Sequence, residues 1–90
     1  MDTTRLLGKH VMITGAARSM GAAIAEHYAA QGAKICVADV NIEGCNEVVT
    51  RIKASGGEAI AVKVDVTKRD QVKAAVAATA EAFGSINVML

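Results

Sequence analysis

The stretch Thr14-Gly15-Ala16-Ala17-Arg18-Ser19-Met20-Gly21 constrains the fold more than any other part of the chain. It follows a short apolar run, Val11-Met12-Ile13, that reads as a buried strand. It leads into a helical pattern with apolar residues at Met20, Ile24 and Tyr28. A strand, a glycine-marked turn and a helix in that order build an anion site. The helix N-terminus offers unpaired backbone N–H groups and the positive end of the helix dipole. Gly15 can take the tight turn out of the strand because it lacks a Cβ. Gly21 lets the helix pack closely on the strand. The ligand that suits this geometry is a phosphate or pyrophosphate. A nucleoside-triphosphatase loop would require Gly-x-x-x-x-Gly-Lys-Ser/Thr. Here the glycines are one residue further apart and Gly21 is followed by Ala22-Ala23, so the lysine and the magnesium-binding hydroxyl are missing. A dinucleotide loop instead requires an acidic residue about 20 positions on, at the end of the second strand. Ile35-Cys36-Val37-Ala38-Asp39 supplies one, 18 residues after Gly21.

The rest of the chain repeats the same alternation. The first strand is expected at His10 to Thr14 and the first helix from Met20 to Gln31, stopped by Gly32. A second strand follows at Lys34 to Asp39. Ile42, Cys45, Val48, Val49 and Ile52 form a 3.6-residue stripe that predicts a second helix, ending near Ser55 before Gly56-Gly57. The third strand is expected at Ala59 to Val64. Thr67, with Asp70 three residues on, is placed to cap a third helix with Val72, Ala75, Val76, Thr79, Ala80 and Phe83 on one face. Gly84 closes that helix, and Ile86 to Leu90 begins a fourth strand. Short apolar strands alternating with helices imply an α/β chain with a parallel sheet. Right-handed crossovers then put the first two helices on one face and the third on the other. The strand order becomes 3-2-1-4, a Rossmann-like half with its ligand site above Gly15 at the carboxyl ends of the strands.

Composition narrows the function classes. Ninety residues allow one small domain, with 52% hydrophobic but only 2% aromatic residues, so small apolar side chains must fill the core. The net charge of +1 and the absence of a basic run point away from nucleic acid and from anionic membrane surfaces. No apolar run approaches the roughly 18 residues of a membrane span. Met1-Asp2-Thr3-Thr4-Arg5 reads as a frayed tail without a signal-peptide pattern, and the expected compartment is the cytoplasm. Cys36 and Cys45 read as small core residues, since no spacing suits a metal or a redox pair. His10 and His27 read as structural.

Taken together, these residues resemble the short-chain dehydrogenase/reductase family. Leu7-Gly8-Lys9-His10-Val11-Met12-Ile13-Thr14-Gly15-Ala16-Ala17-Arg18 is similar to the family's N-terminal signature, whose glycine motif is Thr-Gly-x-x-x-Gly-x-Gly. Asp65-Val66-Thr67 resembles its acidic turn after the third strand. Gly84-Ser85-Ile86-Asn87-Val88-Met89-Leu90 resembles the run into its fourth strand. The pattern departs once within the loop, where Ser19 replaces the usual middle glycine. It also stops before the Asn-Asn-Ala-Gly segment, the catalytic serine and the Tyr-x-x-x-Lys pair. The resemblance therefore implies residues 1–90 to be an incomplete N-terminal half of an NAD(P)-binding Rossmann domain, roughly the first third of an enzyme.

On that resemblance, Gly15 and the backbone around Ser19 and Met20 would hold the cofactor's pyrophosphate. Asp39 would accept hydrogen bonds from the adenosine ribose, with Val40 beside it in the same cofactor-binding set. Its charge would repel a 2′-phosphate, favouring NAD over NADP. Arg18 pulls the other way, because a basic residue there can contact that phosphate. Asp65 would bond the adenine amino group, with Val66 beside the ring. The complete enzyme would move hydride between a small alcohol or ketone and NAD(P). No catalytic residue is assigned here: the single tyrosine, Tyr28, has Gly32 four positions on, not lysine. An unpaired apolar edge at the fourth strand implies self-association or aggregation of the isolated chain, and a homo-oligomer is expected. Two other readings stay open: a Rossmann-like module that binds nucleotide without turnover, and an inactive N-terminal fragment.

Overall fold

The computed structural model describes residues 8–15 and 19–89. The N-terminal tail, Arg18 and Leu90 lie outside the described residues. The elements run β1 (His10–Thr14), α1 (Ser19–Ala30), β2 (Lys34–Asp39), α2 (Ile42–Ala54), β3 (Glu58–Lys63), α3 (Arg69–Phe83) and β4 (Val88–Met89). The sheet is wholly parallel, in the order β3-β2-β1-β4. His10 pairs with Lys34, and Lys34 with Glu58, so the three long strands start level, and β1 ends at Thr14 opposite Ala38, one residue short of the other two.

Alternation along the strands sorts the core into two layers. Val11, Ile13, Ile35, Val37 and Ala59 point to the face covered by α1 and α2, where they meet Ala22, Ala25, Ala29, Cys45, Val48 and Ile52. Met12, Cys36 and Ala38 point the other way, towards Ala75 and the partly buried Val72, Val76 and Phe83 of α3. Both cysteines are fully buried and free. Burial holds both thiols in the neutral form. It raises that of Cys45 to about 11, helped by the negative charge of Asp39 and by Cys36. The sheet order and the placing of the helices are those expected from the alternation.

Three local expectations need correction. Met20 does not belong to the buried stripe of α1: it is 77% exposed, and the packed positions are Ala22, Ala25 and Ala29, with Ile24 and Tyr28 at the margin. A helix lying close on a sheet selects the smallest residues for its line of contact, and the large apolar side chains fall beside it. Thr67 does not cap α3. The cap position is Lys68, which makes no side-chain capping bond, and the Thr67 hydroxyl is used on Asp65 instead. The fourth strand starts later than Ile86, at Val88. Before it, Asn87 takes over the ladder with its side chain: its Oδ1 accepts the His10 N–H at 2.8 Å while its own N–H donates to the His10 carbonyl at 2.8 Å.

The helix ends follow the glycines. After α1, Ala33 N–H donates to the Tyr28 carbonyl at 3.2 Å and Gly32 N–H to that of Ala29 at 3.0 Å. After α2, Gly57 donates to Ile52 and Gly56 to Lys53 in the same pattern. Such paired bonds need a left-handed residue, and Gly32 and Gly56 supply it at φ +94° and +88°. At its other end α2 is capped by Asn41, whose Oδ1 accepts the Gly44 N–H at 3.1 Å.

Candidate functional site

At the carboxyl edge of the sheet, the ends of β1, β2 and β3 open into a cleft of about 440 Å³. Thr14 and Gly15 line it from β1, Asp39 and Val40 from β2, and Val64, Asp65 and Val66 from the turn after β3. Five of the eight residues singled out from the sequence thus come together: Gly15, Asp39, Val40, Asp65 and Val66. Ser19 and Met20 are the first two residues of α1, just beyond the turn. Arg18 lies outside the described residues.

Gly15 has φ +68°, a conformation that a side chain disfavours, and a Cβ there would meet no atom within 4 Å. The glycine is therefore required by the backbone, and it leaves open space above the turn. Asp39 is 7% exposed, and its Oδ1 accepts the Asn41 N–H at 3.1 Å. The Asp39 carbonyl receives the Val64 N–H at 3.0 Å, which ties the two acidic corners together. Val40 and Val66 are 52% and 59% exposed, large apolar side chains on the wall of the cleft.

Asp65 is held from several sides. Its Oδ1 accepts both the Thr67 N–H at 2.9 Å and the Thr67 hydroxyl at 2.6 Å. Its own N–H donates to Gln71 Oε1 at 2.9 Å. Hydrogen bonds from the Thr67 hydroxyl and amide hold its carboxyl below the usual aspartate range, with a smaller contribution from the charge of Lys68. Two acceptors, an open glycine turn and two apolar flanks can bind a ligand that carries hydroxyl or amino donors, an anionic group and a flat apolar part. The sequence reading overlooked Asn41, Thr67 and Gln71 as supports of this cleft. An Asn directly before the apolar stripe of α2 was the available signal for Asn41. Thr67 stands out in the sequence only as a helix cap and as a member of the acidic turn, and nothing local marks Gln71.

Residues 9–90 match the short chain dehydrogenase family, and the chain belongs to it. Among its relatives is a 2,5-dichloro-2,5-cyclohexadiene-1,4-diol dehydrogenase of Sphingobium indicum, 42% identical over 94% of this chain and 34% of that protein. A galactitol 2-dehydrogenase of Agrobacterium fabrum is 43% identical over 96% of this chain and 32% of that protein. The crystal structure of a hydroxysteroid dehydrogenase from Escherichia coli superposes with a TM-score of 0.93 at 34% identity, covering 98% of this chain and 37% of that one. The chain thus spans about a third of the length of the curated relatives it matches. The family binds NAD(H) or NADP(H) and acts on small substrates. Among the described residues no helix is long and apolar enough to cross a membrane.

Proposed function

We propose that this chain is the cofactor-binding part of a short-chain dehydrogenase/reductase that uses NAD, and that the whole protein moves hydride between an alcohol or ketone and that cofactor. The observation that carries the reading is the meeting of Gly15, Asp39 and Asp65 on one cleft at the carboxyl edge. These residues fit a dinucleotide. The open turn at Gly15 admits a close-lying pyrophosphate. Asp39 is a buried acceptor suited to ribose hydroxyls, and its charge disfavours a 2′-phosphate. Val40 and Val66 offer apolar sides to a base. When bound, the nicotinamide carries the hydride chemistry.

What this chain contributes is binding and orientation. Its one tyrosine, Tyr28, packs against the α1–α2 side of the core and has no lysine four positions on, so it does not serve as the proton donor that carbonyl reduction needs. The same reading takes the protein to be cytoplasmic and built from like subunits.

Titration calorimetry with both reduced cofactors tests the assignment. NADH is expected to bind more tightly than NADPH. Replacing Asp39→Ala removes a charged acceptor, a loss of about 1.5–3 kcal/mol, and should weaken NADH binding and narrow the gap between the two. Equal affinities in the unaltered protein would overturn the preference for NAD. Failure of both to bind would overturn the cofactor reading.

A further inference from the structure

Asp65 stands on an irregular turn between β3 and α3, yet four hydrogen bonds fix it. Its carboxylate Oδ1 is taken by the amide and hydroxyl of Thr67, at 2.9 and 2.6 Å. Its N–H is taken by Gln71 Oε1 and its carbonyl by the Lys68 N–H, both at 2.9 Å. A hydroxyl at 2.6 Å from a carboxylate oxygen is a short, charge-assisted bond. Thr67 is exposed in the turn before α3, and Gln71 is exposed on the first turn of α3. Neither side chain is therefore accounted for by packing. Both are spent on one residue, and that residue lines the cleft.

We propose that Thr67 and Gln71 are positioning residues that lock the Asp65 carboxylate before ligand arrives, leaving Oδ2 as the acceptor for an amino group on the bound base. This rests on the cofactor reading above. Thr67 saturates Oδ1, so a ligand donor meets Oδ2. Gln71 anchors the backbone N–H of the same residue, so the clamped side chain stands on a fixed root. A carboxylate held in one rotamer loses no freedom on binding, and it discriminates between a base that presents a donor and one that presents an acceptor. The Asp65 carboxyl being held below the usual aspartate range agrees with this, since both Thr67 bonds favour the charged form.

The test compares NADH with reduced nicotinamide hypoxanthine dinucleotide, in which a carbonyl oxygen replaces the amino group of the base. The unaltered protein should prefer NADH by about tenfold, the value of one hydrogen bond to a charged group. Thr67→Val, which keeps the shape and removes the hydroxyl, should cut that preference several-fold, and Thr67→Ser should restore it. Gln71→Met should act in the same direction and serves if the valine variant does not fold. In parallel, an NMR titration should show the Asp65 carboxyl moving up in Thr67→Val and back in Thr67→Ser. A preference unchanged in both Thr67→Val and Gln71→Met overturns the proposal, as does equal binding of the two dinucleotides by the unaltered protein. If neither dinucleotide binds, the cofactor reading fails, and the positioning role falls with it as stated; an Asp65 titration that still responds to Thr67→Val would then show a clamp without that ligand.

Discussion

The carboxyl edge of the sheet carries a cleft of about 440 Å³ lined by Gly15, Asp39 and Asp65, and the amino edge carries one of about 450 Å³ lined by His10, Lys34 and Glu58. Size does not tell them apart. Their polar groups do. At the amino edge the charges and rings are partnered with each other: Lys34 Nζ lies 3.6 Å from Glu58 Oε2, and His10 Nδ1 lies 2.9 Å from Ser85 Oγ. The helices end there, and the left-handed glycines Gly32 and Gly56 turn their last carbonyls inward to bonds from the following residues. At the carboxyl edge the helices begin, so their N–H groups and the positive ends of their dipoles gather there. Asp65 spends one oxygen on Thr67 and keeps the other. Parallel strands with helical crossovers make this asymmetry unavoidable, and it separates an edge where the helices begin from one where they end.

Substitutions at the two edges should therefore part stability from binding. The largest effect on stability is expected at the amino edge. A Cβ on Gly57 would lie 2.8 Å from Ile52 Cγ2 and 3.3 Å from the Ile52 carbonyl. Ile52 is buried and cannot withdraw, so Gly57→Ala should destabilise the fold by about 1–3 kcal/mol. Denaturant unfolding measures this, and cofactor affinity of the remaining folded protein should be unchanged. A loss of affinity as large as the loss of stability would break the comparison.

Gly15→Ala at the carboxyl edge should be milder for the fold and specific for the ligand. Its added Cβ meets nothing, but a left-handed alanine costs about 1–2 kcal/mol. NADH binding should fall further than that strain alone explains, because the Cβ points into space a pyrophosphate would use. Calorimetry beside an unfolding curve separates the two contributions. Unchanged affinity would remove Gly15 from the proposed site.

The smallest effect is expected at the exposed Lys34–Glu58 pair. Its side chains are 40% and 69% exposed, and such pairs contribute about 0–1 kcal/mol. Glu58→Gln should leave both the unfolding midpoint and cofactor binding almost unmoved. A large drop in NADH affinity would show that the amino-edge cleft is linked to the site after all.

Local chemistry in the chain was enough to determine the elements and their order. Strand and helix periods differ, so Lys34–Asp39 and the stripe Ile42, Cys45, Val48, Val49 and Ile52 declare themselves without a partner. Glycines mark the stops because few other residues adopt positive φ, and handedness then leaves one sheet order. Gly15, Asp39 and Asp65 were also legible as candidates, since each stands at or just after the end of a strand and parallel strands bring their carboxyl ends together. Tertiary structure alone decided what periodicity does not encode. Ala22, Ala25 and Ala29 rather than Met20 face the sheet, because the closeness of helix to strand sets the size that fits. Thr67 bonds Asp65 rather than capping α3, and Asn87 replaces a rung of the β1–β4 ladder, because a polar side chain takes whichever partner the assembled fold brings within about 3 Å.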